Sequence, residues 1–440
     1  MRLTISAGYC LLLIGVAILS SGTVVEAEAP PPAESHLSSR LTPPMGRVDM
    51  VLDSDMYNEV DDQFALAYAL QSAERVNLKA VCAAPFLNHR SKSAGDGMEQ
   101  SYQETHQVLQ LLEHPDKDFV FRGATHFLAN RHTPADSPAA RRIIELAKTD
   151  RQGPLYVVGL GAATNIASAL LIEPSIAERI VVVWIGGHPY HWPNALDFNL
   201  KQDVAAAQVL FDCGVPLVHV PAGDVAASLT ITLPELEAGL KGKSPIATKL
   251  FDNVERYYTE TGANKKQPRS GENAWQKVIW DIATIAWLIA PESLVKSKVV
   301  ASPVLTGEGT WKQSDARHPV RVAVSLDREA IYQDLFTKLG KPYVYSYLIE
   351  PTWGPKTPAQ SKFGFEVHHP GRIHLARVPK SSILTRNRYE FFAGLNDRQQ
   401  PTWSANVADK HAVFRDDNGV GWNVSVSFDV GLKRYLLATT

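Results

Sequence analysis

Cysteine is scarce, with three in 440 residues at positions 10, 82 and 213. A disulfide framework is therefore excluded, and stability must come from a packed core. Charge of one sign is missing as well: 44 Lys and Arg oppose 46 Asp and Glu, a formal net charge of −2. There is no broad basic field for a phosphate backbone, so nucleic acid is excluded as a main partner, and no acid run of the kind that keeps a chain disordered. The apolar run CLLLIGVAIL at 10–19 falls short of the roughly 20 residues that span a bilayer, so stable membrane insertion is not expected. Heptads and long charge runs are absent too.

What is present begins with a processing signal. Met1-Arg2 supplies a positive start, the run at 10–19 an apolar core, and Val25-Glu26-Ala27 or Ala27-Glu28-Ala29 a small-residue cleavage site. Residues 1–27 read as a signal peptide, which implies a secreted or periplasmic protein. Residues 28–46 are rich in Pro and Ser and read as an extended tether. Cys82 and Cys213, at a strand end and a helix end, are expected to be buried small hydrophobes.

From Val48 to about Val300, short β-branched runs alternate with amphipathic stretches. Val48–Leu52 precedes DDQFALAYALQSA, Leu78–Val81 precedes GMEQSYQETHQVLQLLE, and Leu155–Val158 precedes ATNIASALLIE. Ile180–Trp184 precedes DVAAAQVLF, followed by Val215–Val220. Continuous apolar strands separated by helices indicate an α/β fold, a mostly parallel sheet with helices on both faces. Ligands bind such sheets beyond the C-terminal strand ends, so the polar residues there carry most weight. Past about Gly340 the runs YVYSY, RIHLARV, RYEFF, WNVSVSF and LKRYLL indicate a separate β-rich module over 341–440.

The stretch Asp53-Ser54-Asp55-Met56-Tyr57-Asn58-Glu59-Val60-Asp61-Asp62 crowds four Asp and one Glu into the turn after the first strand. Gathering these carboxylates without a cation costs heavily in repulsion and desolvation, so a hard metal is the natural compensation. Capping of a helix N-terminus accounts for one or two of them, not five. An EF-hand needs Gly at its sixth position and Glu at its twelfth; counted from Asp53 these are Asn58 and Phe64, which excludes it. An Asp-x-Asp at a strand end also resembles the nucleophile of haloacid dehalogenase-like phosphatases, although Tyr57 stands where that family has Thr or Val.

The stretch resembles more fully the N-terminal signature of the nucleoside hydrolase family, an Asp-x-Asp, a short loop, then Asp-Asp before an apolar helix. Three further landmarks follow in order. Gly161-Ala162-Ala163-Thr164-Asn165-Ile166-Ala167 resembles the family's Gly-Pro-Leu-Thr-Asn-Ile-Ala turn. Gly186-Gly187 with Asn194 and Asp197-Phe198-Asn199 resembles its Gly-Gly, Asn and Glu-Phe-Asn, and Trp280-Asp281-Ile282-Ala283 its late His-Asp-Pro-Leu-Ala segment. The likeness covers residues 47–340.

This resemblance implies calcium-dependent hydrolysis of the N-glycosidic bond of ribonucleosides. It implies that Ca2+ is held by Asp55, Asp62, the carbonyl of Leu160 and Asp281, an oxygen-only set that suits a hard cation. It gives Asp55 the proton of the attacking water and assigns ribose contacts to Asp61, Asn194, Asp197 and Asn199. Read alone, Asn194 is a turn residue and Asp197 or Asn199 a helix cap. The chain also departs from the family pattern. Five residues, MYNEV, separate Asp55 from Asp61 where the family usually has three, which brings Asn58 or Glu59 within reach of the site. Asp197 replaces a Glu. Trp280 replaces a His that helps protonate the leaving base, which leaves stacking on Trp280, or protonation by His188 or His191, to activate it. Asn88 is a weak substitute for the family's Asn after the second strand.

The stretch after 341 resembles part of a glycosidase-like β-propeller, about two blades where closed propellers have four to eight. Trp353, Trp403 and Trp422 read as core aromatics, with sugar binding as the alternative. The partner that follows is a ribonucleoside, with a second copy of the chain left open as a homo-oligomer. The competing reading is a catalytically altered scaffold acting as a secreted ligand- or glycan-binding protein.

Overall fold

A computed structural model of the chain describes Leu37, residues 39–340, 343–350, 371–379, 383–396, 401–416, 424–429 and 434–439. The chain divides into Met1–Pro30, which lies outside the described residues together with the expected signal peptide, and Pro31–Thr440, to which everything below belongs.

In chain order the elements are β1 (Val48–Ser54), α1 (Asp61–Leu70), β2 (Val76–Ala83), α2 (Ala94–Leu111), β3 (Val120–Arg122), α3 (Pro138–Lys148), β4 (Leu155–Gly159), α4 (Thr164–Ile172) and β5 (Ile180–Ile185). There follow α5 (Phe198–Gln202), α6 (Val204–Asp212), β6 (Leu217–Val220), β7 (Thr230–Thr232), α7 (Leu233–Leu240), α8 (Pro245–Glu260), β8 (Gln276–Val278) and α9 (Ile282–Ile289). Next are β9 (Val295–Ala301), β10 (Val304–Leu305), β11 (Trp311–Lys312), β12 (Pro319–Leu326) and α10 (Arg328–Gly340).

The main sheet has eight strands in the order β3-β2-β1-β4-β5-β6-β12-β9. All neighbours run parallel except β9, which closes one edge antiparallel to β12. The apolar strands are continuous because both faces are covered. Along β4 and β5, Tyr156, Val158, Val181 and Val183 enter one core with residues of α1, α7, α8, α9 and α10, whereas Leu155, Val157, Ile180 and Val182 enter the other with α3, α4 and α6. This is the α/β architecture expected, with three strands, β3, β12 and β9, added beyond the five runs read in the sequence. Cys82 is buried in β2, but Cys213 ends α6 at the surface, so only the first matches the expectation; both are free. Among the described residues no helix is long and apolar enough to cross a membrane.

The C-terminal strands are β13 (Tyr343–Glu350), β14 (Gly371–Pro379), β15 (Glu390–Leu395), β16 (Pro401–Ser404), β17 (Ala412–Asp416), β18 (Val424–Asp429) and β19 (Arg434–Thr439). The first five form one antiparallel sheet and the last two a hairpin. Trp403 packs edge-on against Phe392 with the Arg377 guanidinium 4.4 Å from its ring centre, so it belongs to the packing of this sheet. Trp353 and Trp422 lie outside the described residues.

Candidate active site

The chain crosses from β1 into α1 at the C-terminal edge of the sheet, near its middle, and there the acidic stretch is folded inward. Asp53 Oδ1 accepts from Asn165 Nδ2 at 2.8 Å, and the same amide reaches the Ala83 carbonyl at 3.1 Å. Asn165 therefore ties β1, β2 and the start of α4 together. Burial pushes the Asp53 carboxyl up to about 7, with the Asn165 bond pulling the other way. Asp53 stands behind the cavity described below and is not in its lining.

Asp55 comes next, and its carboxyl lies against Gly161, where an added Cβ would meet Asp55 Cγ at 2.8 Å. Only a glycine lets the β4–α4 turn approach so closely. Asp55 Oδ2 is buried without a hydrogen-bond partner. Burial first, then the charges of Asp62 and Asp61, raise this carboxyl well above its ordinary range.

Asp61 and Asp62 form the first turn of α1, where the helix dipole favours negative charge. Asp281 precedes α9. One carboxylate oxygen from each of Asp61, Asp62 and Asp281 lies within 4.8 Å of the others, a spacing that can hold a metal ion. Ser54 Oγ donates to Asp62 Oδ1 at 2.5 Å. Burial, then repulsion from Asp61, moves Asp62 up to about 7. Burial, then Asp61, Asp62 and Asp55, raises Asp281 well above its usual value. Buried carboxylates that strain towards protonation, with oxygens lacking donors, fit a hard divalent cation. Leu160 also lines the cavity; its carbonyl accepts from Asn199 Nδ2 at 2.6 Å.

The longer MYNEV loop places both Asn58 and Glu59 in the cavity wall. Glu59 meets a partner that the sequence did not point to: Lys277 of β8, whose side chain is 7% exposed, with Nζ 2.5 Å from Glu59 Oε2 and 4.0 Å from Asp61 Oδ1. Burial would raise Glu59, but Lys277 outweighs it and the net shift is down. For Asp61, burial wins over Lys277 and the carboxyl rises to about 6.

These groups open on a cavity of about 540 Å³. Its acid side carries Asp55, Glu59, Asp61, Asp62 and Asp281; Ile185, Leu196, Phe198, Ala222 and Trp280 supply apolar surface. Asn199 lines it, with Nδ2 also donating to the Ile185 carbonyl at 3.0 Å. Asp197 lines it too while serving as the cap of α5, its Oδ1 accepting from Leu200 N at 2.9 Å and from Gly187 N at 2.6 Å. Gly187 adopts φ +78°, which places its N–H for that bond. Asn194 is not in the lining; it is exposed and its Oδ1 accepts from Leu196 N at 3.1 Å within its own turn. Asn88 reaches the wall, its Nδ2 2.7 Å from Asn58 Oδ1. The two loop histidines separate: His188 lines the cavity, whereas His191 is exposed and pairs with Asp224. A second cleft, of about 680 Å³, runs along α2 against residues of the C-terminal module; the Asp61, Asp62 and Asp281 cluster is not in it.

The chain that builds this cavity has relatives. Residues 50–333 match the family described as inosine-uridine preferring nucleoside hydrolase. The chain belongs to that family. It is an N-glycosyl hydrolase acting on ribonucleosides. Among curated relatives, a pyrimidine-specific ribonucleoside hydrolase, RihA, of Salmonella enteritidis PT4 is 27% identical over 256 residues, 53% of this chain and 77% of the relative. Among solved structures, the plant nucleoside hydrolase PpNRh1 has a TM-score of 0.54 at 19% identity, covering 67% of this chain and all of its own. A purine-preferring ribonucleoside hydrolase from Gardnerella vaginalis has a TM-score of 0.52 at 22% identity, covering 66% of this chain and 98% of its own. These two likenesses establish the nucleoside hydrolase fold.

Proposed function

We propose that this nucleoside hydrolase uses calcium, held by the Asp55, Asp62 and Asp281 carboxylates and the Leu160 carbonyl, and that Asp55 takes the proton of the attacking water. The observation that carries the reading is the buried, partnerless Asp55 Oδ2 beside three clustered carboxylates. Bound calcium supplies Lewis acidity towards water and an anchor for vicinal hydroxyls. The chain's own groups do the rest. Asp61, Asp197 and Asn199 orient the ribose from the cavity wall, and Asp55 accepts the proton as water adds to the anomeric carbon and the bond to the base breaks through an oxocarbenium-like state. Trp280, with Ile185 and Phe198, offers the base an apolar surface. Release of free base from inosine, adenosine, uridine and cytidine, followed by chromatography with and without calcium, tests the reading. Nucleoside binding without base release would support the altered-scaffold alternative instead. The N-terminal signal also supports a secreted or periplasmic protein, a reading that rests on residues outside the described structure.

His188 is the proton donor we assign to the departing base. Its ring lies 4.6 Å from the Trp192 ring and its carbonyl accepts from Trp311 Nε1 at 3.0 Å, so the residue is fixed at the wall. His188→Ala is expected to lower turnover of inosine by about 10²-fold, the usual worth of general acid catalysis, and that of p-nitrophenyl riboside, whose leaving group needs no proton, by less than about threefold. Equal losses on the two substrates would remove His188 from this role.

A further inference from the structure

Lys277 is out of place for an ordinary lysine. It sits in the three-residue strand β8, its ammonium is buried, and it is not in the cavity lining. Nζ bonds Glu59 Oε2 at 2.5 Å and the Val278 carbonyl at 2.8 Å, and its remaining charge faces Asp61 Oδ1 at 4.0 Å. Glu59 is held in turn by the Tyr257 hydroxyl at 3.2 Å, and its backbone carbonyl by Arg90 Nη1 at 3.4 Å. The other Asp61 oxygen, Oδ2, accepts the Trp280 N–H at 3.2 Å. Asp61 is thus gripped on both oxygens by the segment that also delivers Asp281, and it faces the cavity between these grips.

We propose that the Glu59–Lys277 pair is a positioning device that orients the Asp61 carboxylate towards the ribose, and that the two extra residues of the MYNEV loop serve to bring Glu59 to Lys277. This rests on reading Asp61 as a ribose ligand. A buried ammonium is costly unless its partners are well placed, and an apolar replacement of such a pair often leaves stability unchanged. Stability alone therefore does not explain it. Asp61 carries the explanation: one of six carboxylates in the cavity wall, it would otherwise be held through Oδ2 alone. Lys277, 4.0 Å from Oδ1, and the Trp280 N–H on Oδ2 together fix the plane of the carboxyl.

The test is a double-mutant cycle between Lys277→Met and Asp61→Asn, read as the dissociation constant of ribose by calorimetry in saturating calcium. That quantity is measurable whether or not base is released. Each single change is expected to weaken ribose by about tenfold or more, and the double variant to be no weaker than Asp61→Asn alone within about twofold, because both remove one interaction. Losses that multiply would overturn the proposal. Calcium affinity of Lys277→Met, titrated separately, is expected to stay equal or tighten; a tenfold loss would mean that Lys277 props the metal ligands instead, and would also overturn it. If Lys277→Met does not fold, Glu59→Gln enters the same cycle with the same expectation, and Lys277→Arg should restore ribose affinity to within about threefold of the parent. Absence of base release from the parent chain, with the coupling intact, would count against the hydrolase mechanism and not against this pair.

Discussion

Asp55→Asn is expected to reduce base release by at least about 10³-fold and, at the same time, to raise the melting temperature of the metal-free protein. The activity loss combines removal of a general base, worth about 10²–10⁴, with weakening of the carboxylate set beside it. The stability gain has a different origin. Asp55 is buried against Asp62 and Asp61, and both burial and their charge oppose its ionisation. An amide of nearly the same shape removes that repulsion while keeping the packing against Gly161. Sites that gather like charge sacrifice stability for function, so improvement on neutralising the key residue is the expected pattern. Initial rates on inosine and a thermal melt in chelator measure both effects. Base release within tenfold of the parent would refute the role given to Asp55, and a lower melting temperature would refute the account of its environment.

The second large effect is a dependence of stability on pH that calcium reverses. In the folded chain Asp53 and Asp62 are moved up to about 7 and Asp61 to about 6, from an ordinary 3.8. Between those limits the native state binds more protons than the unfolded chain, so stability falls as pH rises from about 4 to about 7. The metal-free protein is therefore expected to melt lower at pH 8 than at pH 5, by on the order of 5 °C. The proposed calcium would bind the ionised carboxylates, so millimolar calcium should raise the melting temperature at pH 8 and do little at pH 5, following the linkage of ligand to folding. Chelation at pH 8 should abolish base release and lower the melting temperature together. A flat metal-free profile, or equal calcium effects at both pH values, would contradict the buried-carboxylate account.

The parts of this fold that could be read from sequence are those whose signal is local. Strands β4 and β5 are continuous apolar runs because helices cover both faces, and the carboxylates of the β1–α1 turn are close together in the chain. β9 was less visible because exposed Lys296 and Lys298 break the apolar run of this edge strand, and β3 because it has only three residues. Lys277 was invisible, since a lysine in a three-residue strand looks solvated, and its carboxylate partner lies 218 positions away. The available signal was the two-residue excess in the MYNEV loop, which put one more acid into the site and so required a counter-charge. Asn194 shows the converse. Its order in the family pattern suggested a ribose contact, whereas the structure closes it into its own turn, a local bond that Asn forms readily after Pro193.

The span of the site also bears on how the chain matures. The acids of the β1–α1 turn emerge early in synthesis, but the groups that face them, Lys277, the Trp280 amide and Asp281, follow some 220 positions later. Loop closure over that distance costs little more free energy than over half of it, yet it is slow, because so much chain must be ordered before the contact forms. Until then the acids keep their water. The first six strands can pair while the cavity remains an open, hydrated loop, and β12 docks beside β6 only after residues 277–281 are available. Capture of the proposed cation would in consequence come late, marking completion of the fold rather than initiating it.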